Sequence, residues 1–227
     1  MTSERQPARA KSSGGMVRRG VCLVISAPSG AGKSTIANAL RAAEPQLRHS
    51  VSVTTRSPRP GEVDGVHYHF RTMEQFREMA ERGELLEWAV VFGRGYGTPR
   101  KPVEEALAAG CDMVFDIDWQ GHRQIRSALP DDVAGLFVLP PSLEELERRL
   151  RGRASDAEAE IGHRMAAALD EISHWQEFDQ VIVNVELDRA IAEARAVLTA
   201  ARLRTSRQTG LSDFVAGFGS YNERKTD

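Results

Sequence analysis

The chain has 227 residues, 41% hydrophobic and 27% charged, which is enough for one globular unit with a subdomain or two. Its net charge of -2 gives no global case for binding nucleic acid, and no apolar run approaches the ~18 residues of a membrane span. Two cysteines, Cys22 and Cys111, lie far apart in apolar stretches, which argues against a disulfide framework or thiolate metal site and fits a reducing cytoplasm.

Residues 1–19 carry Arg5, Arg9, Lys11, Arg18 and Arg19 against Glu4 alone. This stretch contains Ser and Gly and has no apolar stripe, so a disordered basic tail is expected. A transit peptide is the lesser alternative, because amphipathic spacing is missing. From Gly20 the pattern alternates strand and helix. "VCLVISA" (Val21 to Ala27) reads as a buried parallel strand. A helix is expected from Lys33 to Ala43, ended by Pro45, and a short strand from Val51 to Val53. Residues 55–98 break the rhythm with turn residues and one clear helix, about Met73 to Arg82. The alternation then resumes with a helix near Lys101 to Ala109, the strand "DMVFDI" and a helix near Gln120 to Ala128. The strand "AGLFVL" comes next, followed by a helix capped by Ser142 with Glu145 at the capping-box position. A long helix over about Glu158 to Trp175, the strand "QVIVN" and a last helix over about Leu187 to Arg202 complete the pattern. The whole reads as an α/β protein with a parallel sheet wrapped by helices.

"APSGAGKST" (Ala27, Pro28, Ser29, Gly30, Ala31, Gly32, Lys33, Ser34, Thr35) sits between a buried strand and a helix, the context a phosphate-binding P-loop requires. Its backbone N–H groups and the helix N-terminus favour phosphate oxygens. Lys33 is placed for the β- and γ-phosphates of a nucleoside triphosphate, and the Ser34 hydroxyl for Mg2+. Ala27 departs from the pattern, which has glycine there; the departure costs something only if that position needs a positive φ.

The loop leaves Arg56 and Arg59 unexplained. They flank Ser57-Pro58, with Pro60 behind, on a loop that the prolines stiffen. Guanidinium binds phosphate bidentately, so the pair suits a second, phosphorylated substrate. Tyr68 and Tyr96 could add phenolic hydroxyls. A solvated basic loop is the plain alternative. In "MVFDID", Asp116 and Asp118 lie two apart at the carboxyl end of a buried strand, where α/β folds present ligands. Asp118 also suits the cap of the next helix.

"SVTTRSPRPGEVDGVHY", "APSGAGKST", "FGRGYGT", "DIDWQG" and "PPSLEELERRLRGR" together resemble the guanylate kinase family, from about Val21 to Arg207. The resemblance implies a P-loop nucleoside triphosphate hydrolase-type parallel-sheet core with P-loop 27–35, an inserted GMP-binding subdomain (53–98) and a small lid (143–160), within a domain spanning 20–207. Residues 208–227 are left as a C-terminal tail. It implies transfer of phosphate from ATP to GMP. It also implies that Arg56, Arg59, Tyr68 and Tyr96 hold the GMP phosphate, that Ser52, Glu87, Thr98 and Asp118 surround guanine, and that Asn184 lies on the ATP side. Asp116 would act on the Mg2+ shell, and Lys33, Arg149, Arg153 and Arg164 would supply catalytic charge. Guanine chemistry agrees, because a carboxylate such as Glu87 accepts from guanine N1–H and N2–H2, and adenine has no N1–H. Gly95, Ala154 and Val185 depart from the family pattern. Two rivals stand beside this reading, a non-catalytic guanylate-kinase-like binding module and a kinase of the same fold for another phosphorylated small molecule. Homo-oligomerisation is left open.

Overall fold

The computed structural model describes residues 17–152 and 158–223. Its core is a five-stranded parallel sheet in the order β2-β7-β1-β8-β9. The strands are β1 (Cys22–Ser26), β2 (Arg48–His49), β7 (Met113–Asp116), β8 (Val133–Leu139) and β9 (Gln180–Val183). β1 is apolar along nearly its whole length because it lies between β7 and β8 with both faces covered. On one face, helices α1 (Lys33–Ala43) and α7 (Leu187–Arg202) close a core around Leu23, Ile25, Ile36 and Leu198. On the other, α3 (Arg100–Ala108) and α4 (Trp119–Ala128) cover Val24, Leu107, Phe115 and Ile125. Cys22 and Cys111 are both buried and unbridged.

A second sheet of four strands, in the order β4-β3-β6-β5, stands apart from the first. It comprises β3 (Val53–Thr54), β4 (His69–Phe70), β5 (Leu85–Val91) and β6 (Arg94–Pro99). Helix α2 (Met73–Glu81) packs Phe76 against Val53 and Leu85 to give this sheet a small core. Its start is fixed by a reciprocal capping box between Thr72 and Gln75. A Cβ at Gly95 would stand 2.7 Å from the Phe76 ring, so α2 can lie this close only because residue 95 has no side chain. The strand expected at Val51 to Val53 therefore belongs, as β3, to this second sheet. The core strand before it is β2, which carries only polar side chains and pairs with β7.

Helices α5 (Leu143–Arg151) and α6 (Glu158–Ser173) form a separate pair around Leu146, Leu150 and Ala168. The expected capping box at α5 is half present. The Ser142 hydroxyl accepts from the Glu145 N–H at 3.2 Å, but the Glu145 carboxylate turns to Arg148 and Arg149 instead of back to the cap.

Both ends of the described chain are held by specific contacts. Arg18 and Arg19, grouped with the basic tail, are tied into the body: Arg18 pairs with buried Asp112, and Arg19 forks onto Asp132 at 2.7 and 2.6 Å. Beyond α7, the segment left as a tail includes a further helix, α8 (Leu211–Glu223). The Gly210 N–H before α8 donates to the Val17 carbonyl, joining the two ends of the described chain. Residues 1–16 of the expected basic tail lie outside the described residues. Among the described residues no helix is long and apolar enough to cross a membrane.

Candidate active site

The phosphate loop follows β1 and opens α1. Gly30 and Gly32 take φ of 93° and 105°, a region that favours glycine, and Gly32 is the left-handed N-cap of α1. Ala27 has no positive φ, so the missing glycine there costs the loop nothing. Ala27, Pro28, Ser29, Gly30, Gly32, Lys33, Ser34 and Thr35 line a hollow of about 220 Å3 together with Glu171. Ala31 is buried beneath it, and its carbonyl accepts from the Asn184 side-chain amide at 2.8 Å. Asn184, expected on the ATP side, is thus buried and holds the loop's backbone.

A larger cleft of about 480 Å3 opens between the two sheets. Ser52, Tyr68, Glu87, Tyr96, Thr98 and Asp118, all expected around the acceptor, line it. Lys33 lines both hollows, and its ammonium donates to the Ile117 carbonyl at 3.3 Å. The two cavities therefore meet at the lysine of the phosphate loop.

Glu87 and Thr98 face each other across the β5–β6 pair, and the Thr98 hydroxyl donates to the Glu87 carboxylate at 2.7 Å. Burial pushes the Glu87 carboxyl upward, helped by the Asp118 charge and opposed by the Thr98 hydrogen bond. Guanine donors would supply partners for a carboxylate that solvent reaches poorly. Asp118 is the cap that the sequence suggested. It caps α4 by accepting from the Gly121 N–H at 2.8 Å, and it lines the cleft.

Asp116 ends β7 facing the loop. Its carboxylate accepts from the Ser34 hydroxyl at 3.1 Å and has His49 Nε2 at 3.5 Å. His49 first, then Ser34 and Lys33, hold its carboxyl below the usual range against burial. An ionised carboxylate beside a serine hydroxyl is the oxygen donor set that a hard divalent cation takes, so these residues fit such an ion. His49 was not foreseen; it lies on β2, a two-residue polar strand that sequence pattern does not reveal.

The arginine pair is arranged differently from the expectation. Arg56 is buried, and both of its terminal nitrogens engage the Glu62 carboxylate at 2.6 Å. Its guanidinium also lies 4.8 Å from the Tyr68 ring centroid. Glu62 takes a further bond from the Arg59 N–H at 2.7 Å, and Arg56 first, then that N–H, lower its carboxyl to about 2. Arg59 itself is exposed. So Glu62, missed in the sequence, organises the loop on which both arginines sit. The signal was there, an acid six residues after Arg56 in "RSPRPGE".

Of the lid arginines, Arg149 binds Glu145 at 2.7 Å and reaches the Asn184 carbonyl at 3.5 Å. Arg149 is thus paired within its own helix. Arg164 is half-buried on α6, and Arg153 lies outside the described residues, as does Ala154.

The family model described as guanylate kinase matches residues 19–201. A guanylate kinase of Gluconobacter oxydans (strain 621H) is 78% identical over 88% of this chain and 97% of its own length. One from Granulibacter bethesdensis is 60% identical over 89% and 94% of the two chains. The crystal structure of guanylate kinase from Anaplasma phagocytophilum superposes with a TM-score of 0.69 at 36% identity, covering 89% of this chain and 96% of that one. With two cavities that share the lysine of the phosphate loop, and with relatives this similar along nearly its whole length, the chain belongs to the guanylate kinase family.

Proposed function

We propose that the protein transfers the γ-phosphate of ATP to GMP, giving ADP and GDP, with Mg2+ as the divalent ion and the cytoplasm as its site of action. The observation that carries this reading is the junction of the two cavities at Lys33. A donor triphosphate on the loop and an acceptor monophosphate in the cleft would then present their reacting oxygens to the same ammonium.

In this reading residues 20–207 form the catalytic domain, with 53–98 holding GMP and 143–160 acting as a lid. Ser52, Glu87, Thr98 and Asp118 read guanine, while Tyr68, Tyr96 and the Arg56–Arg59 loop hold the acceptor phosphate. Ser34 and Asp116 hold the metal, which when bound neutralises charge on the donor phosphates. The acceptor oxygen is already anionic, so no strong general base is required, and catalysis is positioning plus charge neutralisation. Arg149, Arg153 and Arg164 supply cations to the transferring group, and Arg149 exchanges Glu145 for it. A non-catalytic module would not need Lys33, Ser34 and Asp116 assembled at one spot, and a kinase for another acceptor would not need the Glu87–Thr98 pair.

Phosphate transfer to a panel of nucleoside monophosphates tests the reading. GMP should be the preferred acceptor, and Lys33→Ala should lower turnover by ~10²-fold or more, the scale of losing one transition-state charge partner. Equal transfer to AMP, or near-normal turnover by Lys33→Ala, would sink it.

A further inference from the structure

The phosphate loop makes a contact that the catalytic reading does not use. The N–H of Ser29 donates to Glu171 Oε2 at 3.0 Å. Backbone N–H groups of this loop are the donors that a phosphate oxygen takes, and a carboxylate oxygen offers them the same charge and the same acceptor chemistry. Glu171 lies near the C-terminal end of α6 and lines both cavities. Lys33 attracts its carboxylate, while Asp118 and Asp170 repel it.

Helix α6 is also connected to the loop through α5. A Cβ at Gly30 would stand 3.1 Å from Leu146 and 3.3 Å from Leu150, so α5 lies directly on the loop. Those two leucines join Ala168, Met165 and Ile172 of α6 in one apolar cluster. Arg164 precedes Glu171 by seven residues, two helical turns, and so shares its side of α6.

We propose that Glu171 is a positioning residue for the phosphate donor: its carboxylate and a donor phosphate oxygen compete for the Ser29 N–H, and the exchange links occupancy of the loop to helix α6. The inference rests on the donor reading given above. A ligand shifts an equilibrium only through its differential interaction with the alternatives, so the work of displacing Glu171 reduces the donor's affinity. That work includes like-charge repulsion between a carboxylate and a polyphosphate in a half-buried site.

Glu171→Gln keeps the shape and removes the charge. Calorimetry with Mg2+–ATP should show binding roughly tenfold tighter than wild type, the scale of one net hydrogen bond. GMP affinity should change less, because the Ser29 amide belongs to the donor loop. In steady state the KM for ATP should fall more than the KM for GMP. Glu171→Asp retains the charge one methylene short of the amide and should move the KM for ATP in the same direction by a smaller factor. A merely structural role would instead lower Tm and weaken ATP binding in both variants. Unchanged or weaker ATP binding by folded Glu171→Gln or Glu171→Asp, with wild type binding ATP normally, overturns the proposal. If wild type binds no ATP, the donor reading itself fails, and this inference fails with it.

Discussion

Strand β7 is flanked by an aspartate on one side and closed by one on the other, and the two are set in opposite ways. Asp112, just before the strand, is fully buried. It takes both terminal nitrogens of Arg18 at 2.7 and 2.8 Å, Arg202 at 2.7 Å, and the Val21 N–H at 3.0 Å. Asp116, at the strand's end, is only half-buried, and its partners are a serine hydroxyl and a histidine. One carboxylate is closed by two permanently charged arginines, Arg18 bidentate and Arg202 through Nε, that span the fold; the other has only small, exchangeable partners. On the proposed reading, the same residue type serves stability where its coordination is complete and chemistry where it is left exchangeable.

Substituting the two positions should separate these roles. Asp112→Asn leaves the buried Arg18 without a carboxylate and Arg202 with Glu44 alone, and should cost about 3–5 kcal/mol of stability. Denaturant unfolding would read the loss, and the folded fraction should keep its kcat. Asp116→Asn should do the reverse, lowering kcat by ~10²-fold with little change in the unfolding midpoint. If both variants lose stability alike, the contrast between the two ends is wrong.

The proposed guanine side sharpens the comparison, since on that reading ligand would complete the partner set of the Glu87 carboxylate. Glu87→Gln should lose roughly 1–3 kcal/mol of preference for GMP over AMP, the cost of mispairing a buried polar group. A pH series on wild type gives the sign independently. The Glu87 carboxyl is raised by burial, and on the proposed reading the guanine donors would bind its ionised form. GMP affinity should therefore be flat at high pH and fall as pH drops through that raised value, above the usual carboxylate range. An onset at or below the ordinary glutamate range would remove Glu87 from this role.

The smallest effect is expected at Arg148. Its side chain is 73% exposed and pairs with Glu145 on its own helix. Such pairs contribute little, so Arg148→Ala should leave both kcat and the melting temperature within error. A large loss of activity would place catalytic charge on a face of α5 that the geometry assigns to solvent.

The core was legible because its signals are local. Apolar runs marked β1, β7 and β8, and helix α7 falls on the expected Leu187 to Arg202. The second sheet was not legible. Two of its strands are two residues long, and β6, "RGYGTP", carries two glycines and a proline that read as turn. Pairing with β5 overrides that composition. The phosphate loop was legible because its spacing and context announce it, whereas the residues expected around guanine came from the family resemblance, and the structure shows them lining the larger cleft. His49 and Glu171 were missed because their partners are not singled out by chain order, and for Glu171 that partner is 142 residues away, whereas Glu62 lay only six residues from Arg56 and was overlooked. Arg18 and Arg19 looked like tail for the same reason: Asp112 and Asp132 lie about ninety residues or more further on.

The burial of both thiols bears on how motion in this molecule can be watched. Cys22 has no exposed surface, and burial drives its thiol well above the ordinary range, while Cys111 is 4% exposed. Alkylating reagents attack thiolates, so neither sulfur competes for a maleimide in the folded protein. Phe92, at the turn between β5 and β6, is 99% exposed. A dye on Phe92→Cys would therefore label one point at the tip of the second sheet in an otherwise native chain. Energy transfer from Trp119 on α4 and from Trp175, over a constant contribution from Trp88 on the same hairpin, would then report the approach of that sheet to the core as nucleotides bind, with no native cysteine to remove first.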